Sequence, residues 1–139
     1  MTLLDTRYTF GTRVRGGVPD IRRRVETALR AEGFGVLTEI DIAATMRARL
    51  GVERPAYVIL GACNPPLAHR ALEAEPSVGA LLPCNVVIRA DGDDTIVEAM
   101  DPDAVLSLID DPEIHAVAMD ARARLQRMVE TIRDGGPEA

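Results

Sequence analysis

The fold turns on residues 85–100: Asn85-Val86-Val87-Ile88-Arg89-Ala90, then Asp91-Gly92-Asp93-Asp94, then Thr95-Ile96-Val97-Glu98-Ala99-Met100. Two runs rich in β-branched residues flank a short Asp/Gly turn, which is the signature of a hairpin. Hairpin strands run antiparallel, so a sheet built only from parallel crossovers is excluded. The Asp/Gly turn resembles a fragment of a calcium loop but lacks its spacing and closing Glu, and reads as a solvated turn.

Working upstream, the run from Ala56 to Ala62 is apolar on both faces and reads as a central strand. A helix from about Pro65 to Glu75 follows it and breaks at Pro76. Phe34, Val36, Thr38 and Ile40 alternate as a further strand, and Asp41 is placed to cap a short helix closed by Gly51. Tyr8, Phe10, Thr12 and Val14 alternate with polar or small neighbours as the first strand. Gly16-Gly17 and Pro19 then lead into a helix carrying Ile21, Val25, Ala28 and Leu29 at helical spacing, with Gly33 at its end.

Downstream of the hairpin, Asp101-Pro102 opens a short helical segment. A long helix from Pro112 to about Arg133 places Ile114, Val117, Ala121, Leu125, Met128 and Ile132 on one stripe, for packing on the sheet or on a partner subunit. The tail Asp134–Ala139 is polar and Gly-rich and is expected to fray. The order β-α-β-α-β-α-β-β-α predicts an α+β fold: a mixed or mostly antiparallel sheet of about five strands, with helices mainly on one face. No internal linker or repeat divides the 139 residues, so one domain spanning 1–139 is expected.

Composition narrows the function classes. All 16 basic residues are Arg, so no lysine Schiff base and no P-loop lysine can operate. Residues 1–60 carry ten Arg against seven acids (+3), and residues 61–139 carry six Arg against fifteen acids (−9), giving the net charge of −6. That acidity, with aromatics at only 3%, argues against nucleic acid as a partner. Met1–Phe10 shows no export signal and no stretch approaches membrane-spanning length, so the cytoplasm is the expected compartment.

The chemistry-bearing residues cluster in two phrases. Cys63-Asn64-Pro65-Pro66 stands where a strand hands over to a helix, with Asn64 as N-cap and Pro65 as first helical residue. The helix's positive end would lower the Cys63 pKa and favour an anion nearby. Cys84-Asn85 opens the next strand, so the two phrases can meet at neighbouring strand ends. His69 and Glu73 share a helix face at i, i+4. Cys63, His69 and Cys84, with Glu73 as a further donor, would make a reasonable zinc set, although the spacing matches no standard zinc module. The plainer reading makes both cysteines small core residues, Asn64 only a cap, and His69 an exposed partner of Glu73. Arg22-Arg23-Arg24 would suit a phosphate, but three consecutive charges point around a helix and read as a solvated face. Glu39 and Asp41 could form a paired carboxylate, which the capping role of Asp41 explains more simply.

Several phrases together carry a family resemblance: Gly33-Phe34-Gly35-Val36-Leu37-Thr38-Glu39-Ile40-Asp41, Leu60-Gly61-Ala62-Cys63-Asn64-Pro65, Ala68-His69-Arg70-Ala71-Leu72 and Leu81-Leu82-Pro83-Cys84-Asn85-Val86. In this order they resemble the domain of unknown function 302 family, from about Tyr8 to Ile109. The resemblance implies an α+β fold similar to the TATA-binding-protein-like class and commonly a homodimer. It brings no agreed activity, and fold likeness alone does not bring DNA binding.

The leading expectation is therefore a dimeric module binding a small molecule, an anion or a metal near the two Cys-Asn phrases, through Cys63, Asn64, Arg70, Cys84 and Asn85. One rival is a thiol enzyme or redox sensor, with Cys63 as nucleophile, His69 as base and Cys84 as resolving thiol. Another is a purely structural dimer joined through the stripe of the last helix.

Overall fold

A computed structural model describes residues 3–136. The last three residues of the tail expected to fray lie outside the described residues. The elements in order are β1 (Leu3–Asp5), β2 (Thr9–Arg15), α1 (Val18–Ala31), β3 (Gly35–Asp41), α2 (Ile42–Leu50), β4 (Tyr57–Cys63), α3 (Pro65–Ala74), a 3-10 helix (Pro76–Leu81), β5 (Cys84–Asp91), β6 (Asp94–Met100), α4 (Pro102–Leu106) and α5 (Pro112–Arg133).

All six strands join one antiparallel sheet in the order β1-β2-β6-β5-β4-β3, with the helices on one side. The hairpin β5–β6 holds the centre, pairing Val86 with Ala99 and Ile88 with Val97. Among the described residues the sheet has no parallel pair, and it has one strand more than expected. The extra strand, β1, is three residues long and too short to show a period in sequence.

The helix termini follow their capping residues. Asp41 accepts from the Ala44 N–H at 2.9 Å, Asn64 from Leu67 at 3.2 Å, and Asp111 from both Glu113 and Ile114. Each satisfies a backbone donor that the first helical turn leaves unpaired. Gly33 ends the α1 region at φ +85°, a conformation that costs glycine no Cβ clash.

The core lies between the sheet and the helices. Phe10, Val14, Leu60, Val86, Ile88 and Val97 point from the strands toward Ile21, Val25 and Leu29 of α1 and Leu125, Met128 and Ile132 of α5. The α5 stripe, from Ile114 to Ile132, is buried within the chain itself. It is therefore not an exposed dimer interface, because the sheet and the neighbouring helices α1, α3 and α4 already cover it. Thr95 is fully buried and its hydroxyl donates to the Gly16 carbonyl at 2.7 Å, tying the hairpin to the turn before α1.

Two strands depart from simple alternation. In β3 a bulge falls between Val36 and Thr38: Val36 pairs with Ala62 and Thr38 with Gly61, leaving Leu37 as the extra residue. Val36 thus shares the helix-covered face with Ala62, whereas Thr38 and Ile40 move to the other face. In β4 the second apolar face, with Tyr57 and Ile59, is half-buried and carries no helix. The strand is interior, as expected, but covered on one side only.

Candidate functional site

The register of β4 against β5 brings the two Cys-Asn phrases together. Ala62 lies opposite Cys84 and Gly61 opposite Asn85. Cys84 shares the helix-covered face with Ala62, and Cys63, one residue further, is out of phase on the pleat at the strand's last position. Both cysteines are free and both border one cavity of about 280 Å³.

The cavity lies beside the ends of β4 and β5. Ala62 and Cys84 contribute from the strands, and Leu67, Ala68, Ala71 and Leu72 from α3. Pro102 and Leu106 of α4, Val117 and Ala121 of α5, the bulged Leu37, and Leu82-Pro83 complete the lining. Apart from Asn64 and the two cysteines, every lining side chain is apolar. Small residues leave the space: three alanines (Ala68, Ala71 and Ala121) come from the helices where larger side chains would fill it.

Asn64 is buried, and its side-chain oxygen is occupied as the cap of α3. The Asn64 amide nitrogen lies against Gly33, where an added Cβ would stand 2.9 Å from it. Gly61 is equally constrained, since a Cβ there would lie 2.8 Å from Pro83 Cγ and would also meet Thr38 Oγ1. The Leu82–Pro83 peptide is cis.

Burial pushes the Cys84 thiol up to about 11, with the neighbouring Cys63 adding a smaller upward push. Burial also raises the Cys63 thiol. This direction is opposite to the lowering expected from the positive end of α3, because the apolar surroundings penalise a thiolate more than the helix end favours it.

The other sequence-predicted residues lie elsewhere. His69 and Glu73 are exposed on α3, and neither borders the cavity. Arg70 is exposed and bonds through Nε to Glu113 of α5 at 2.6 Å. Asn85 is exposed on the sheet face opposite the helices. Among the described residues no group of three His, Cys, Asp or Glu side chains is arranged to hold a metal ion. Sequence reasoning missed the cavity's apolar walls, because they come from six separate segments and each reads locally as core.

The fold and cavity together define a class: an antiparallel α+β sheet protein with a one-sided helical layer and a small apolar chamber beside its central strands. Residues 10–132 match the family described as Domain of unknown function DUF302, and the chain belongs to that family. Among solved structures it is similar to an uncharacterized conserved protein DUF302 from Bacillus stearothermophilus, with a TM-score of 0.83 and 28% identity, covering 90% of this chain and 98% of that one. No curated protein matches the chain.

Proposed function

We propose that the protein is a binding module for a small apolar ligand, held in the cavity where the two Cys-Asn phrases converge. The observation that carries this reading is an apolar chamber of about 280 Å³ opened by small helix residues beside the strand ends. Ligand sites are typically concave, mostly apolar and supplied with a few polar groups, and here those groups are Asn64 and the two thiols. An apolar cavity of this kind gains little from water and favours an apolar guest. The raised thiols support a role in lining the cavity over the thiol-enzyme alternative, since a nucleophile is needed as thiolate. The outward positions of His69 and Arg70 give a zinc or anion site there no support.

The test uses N-phenyl-1-naphthylamine, a neutral fluorescent probe, with the variant Ala68→Phe to fill the chamber. Saturable fluorescence enhancement in the native protein, lost in a folded Ala68→Phe variant, is the expected result. An enhancement that survives the filling would place the probe elsewhere and remove the proposal. Metal content by mass spectrometry on protein purified without chelator tests the zinc alternative separately.

We also propose that two copies associate through the uncovered sheet face. Ile40, Ile59 and Val87 stand directly opposite one another across β3, β4 and β5 on that face, an apolar row no helix covers.

A further inference from the structure

At the other end of β4 from the cysteines, a second cleft of about 560 Å³ lies between the start of α1, the helix α2 and the loop 51–56. Four of the chain's 16 arginines line it: Arg22, Arg23, Arg47 and Arg54. Two carboxylates share the lining, and both are already engaged. Asp41 caps α2, and Glu39 is held by Arg22 at 2.6 Å.

The arginines differ in how far they are committed. Arg22 is fixed between Glu39 and Glu26, and Arg23 is paired with Asp20. Arg47 meets Glu53 through Nε alone, at 3.2 and 3.3 Å, and both side chains are more than half exposed. Such a pair is weak and readily exchanged. Arg54 has no carboxylate within ion-pair distance among the described residues, and its guanidinium carbon lies 5.1 Å from the Tyr57 ring centroid. That cation–π contact is made over the ring and leaves the guanidinium N–H groups without a carboxylate partner among the described residues.

We propose that this cleft binds a small phosphate-bearing ligand, with Arg47 and Arg54 as the guanidinium forks that take its phosphate oxygens. Planar guanidinium donors match phosphate oxygens in pairs, and charge-assisted bonds of this kind are the strong ones. The first turn of α1, which has no side-chain cap, borders the same space and adds a favourable dipole. Arg22 and Arg23, neutralised by their own carboxylates, form the wall of the cleft and do not supply its free charge. The attraction for a phosphate therefore rests on Arg54 and on the exchangeable Arg47, not on an overall excess of positive charge.

The test is isothermal titration with inorganic pyrophosphate at constant ionic strength set by sodium chloride. The proteins compared are native, Arg54→Gln, Arg47→Gln, and the control Arg127→Gln, which removes an exposed arginine of α5. The expected result is saturable binding of one pyrophosphate per chain, weakened about tenfold or more by each cleft substitution and unchanged by the control. No saturable binding in the native protein would overturn the proposal, as would affinities equal in all four proteins or lowered equally by the control. Circular dichroism confirms that the variants fold. N-phenyl-1-naphthylamine fluorescence, which reports on the apolar cavity, should not respond to these substitutions.

Discussion

At Cys84 a thiol with an ordinary pKa of 9.0 is held neutral to about 11 by its burial beneath the helices. The unfolded chain therefore releases this proton at lower pH than the folded one. The resulting stability is fully present below pH 9 and is lost as pH rises toward 11, amounting to roughly 2–3 kcal/mol. Urea unfolding of the native protein at pH 8 and pH 10.5 should show the decline, and Cys84→Ala should flatten it. An equal decline in that variant would assign the effect to other groups. The same burial predicts that iodoacetamide modifies Cys63, the more exposed thiol, before Cys84 in the folded protein. Neither should react at neutral pH faster than free cysteine, as peptide mass spectrometry across pH would show. Gly61 supplies a steric counterpart. A methyl there would press on Pro83 and Thr38, so Gly61→Ala should cost about 1–3 kcal/mol by overpacking, read as a lower urea midpoint.

At the scale of elements, α3 depends on its entry. Asn64 bonds the Leu67 N–H from a buried position, so Asn64→Ala should destabilise by about 1–2 kcal/mol, while Asn64→Ser should recover part of that loss. Because α3 forms one wall of the cavity, the alanine variant should also loosen probe binding. The contrasting substitution is Arg70→Ala. Its pair with Glu113 is exposed on both sides, so its loss should change stability by no more than about 0.5 kcal/mol and leave probe affinity alone. A large loss of probe affinity in Arg70→Ala would revive the anion reading of this site. The bulge in β3 is the element-scale feature that sequence periodicity could not reveal. Phe34, Val36, Thr38 and Ile40 alternate without a break, yet the inserted Leu37 divides them between two faces. Leu37 consequently borders the cavity although it is 65% exposed.

Over the whole molecule, one sheet face is covered by helices and the other holds the row Ile40, Ile59 and Val87, continued by Glu98, which is bonded to Arg89 at 2.8 Å. Sedimentation velocity should find a dimer, and Ile59→Lys should shift it toward monomer. A native monomer at high micromolar concentration would remove the proposal. The two clefts sit at opposite ends of β4 and differ in chemistry, apolar at the cysteine end and cationic at the Tyr57 end. They can therefore be tested independently. No helix among the described residues is long and apolar enough to cross a membrane.

The sequence alone determined what is local. Capping residues, glycine stops, the Asp/Gly turn and the apolar periods place ten of the twelve elements, because each signal acts within a few residues of where it is written. The same locality placed Cys63 and Cys84 at strand ends. Only the tertiary structure decided the strand order, the bulge, the burial of the α5 stripe and the opening of the two clefts. These depend on which distant surfaces meet: Ala68 in a helix, Pro102 at a helix start and Val117 on an apolar stripe show no common role until the sheet register brings their segments around one space. The cysteine pKa values follow the same rule, since a helix end is visible in sequence whereas the depth of burial that outweighs it belongs to the assembled fold.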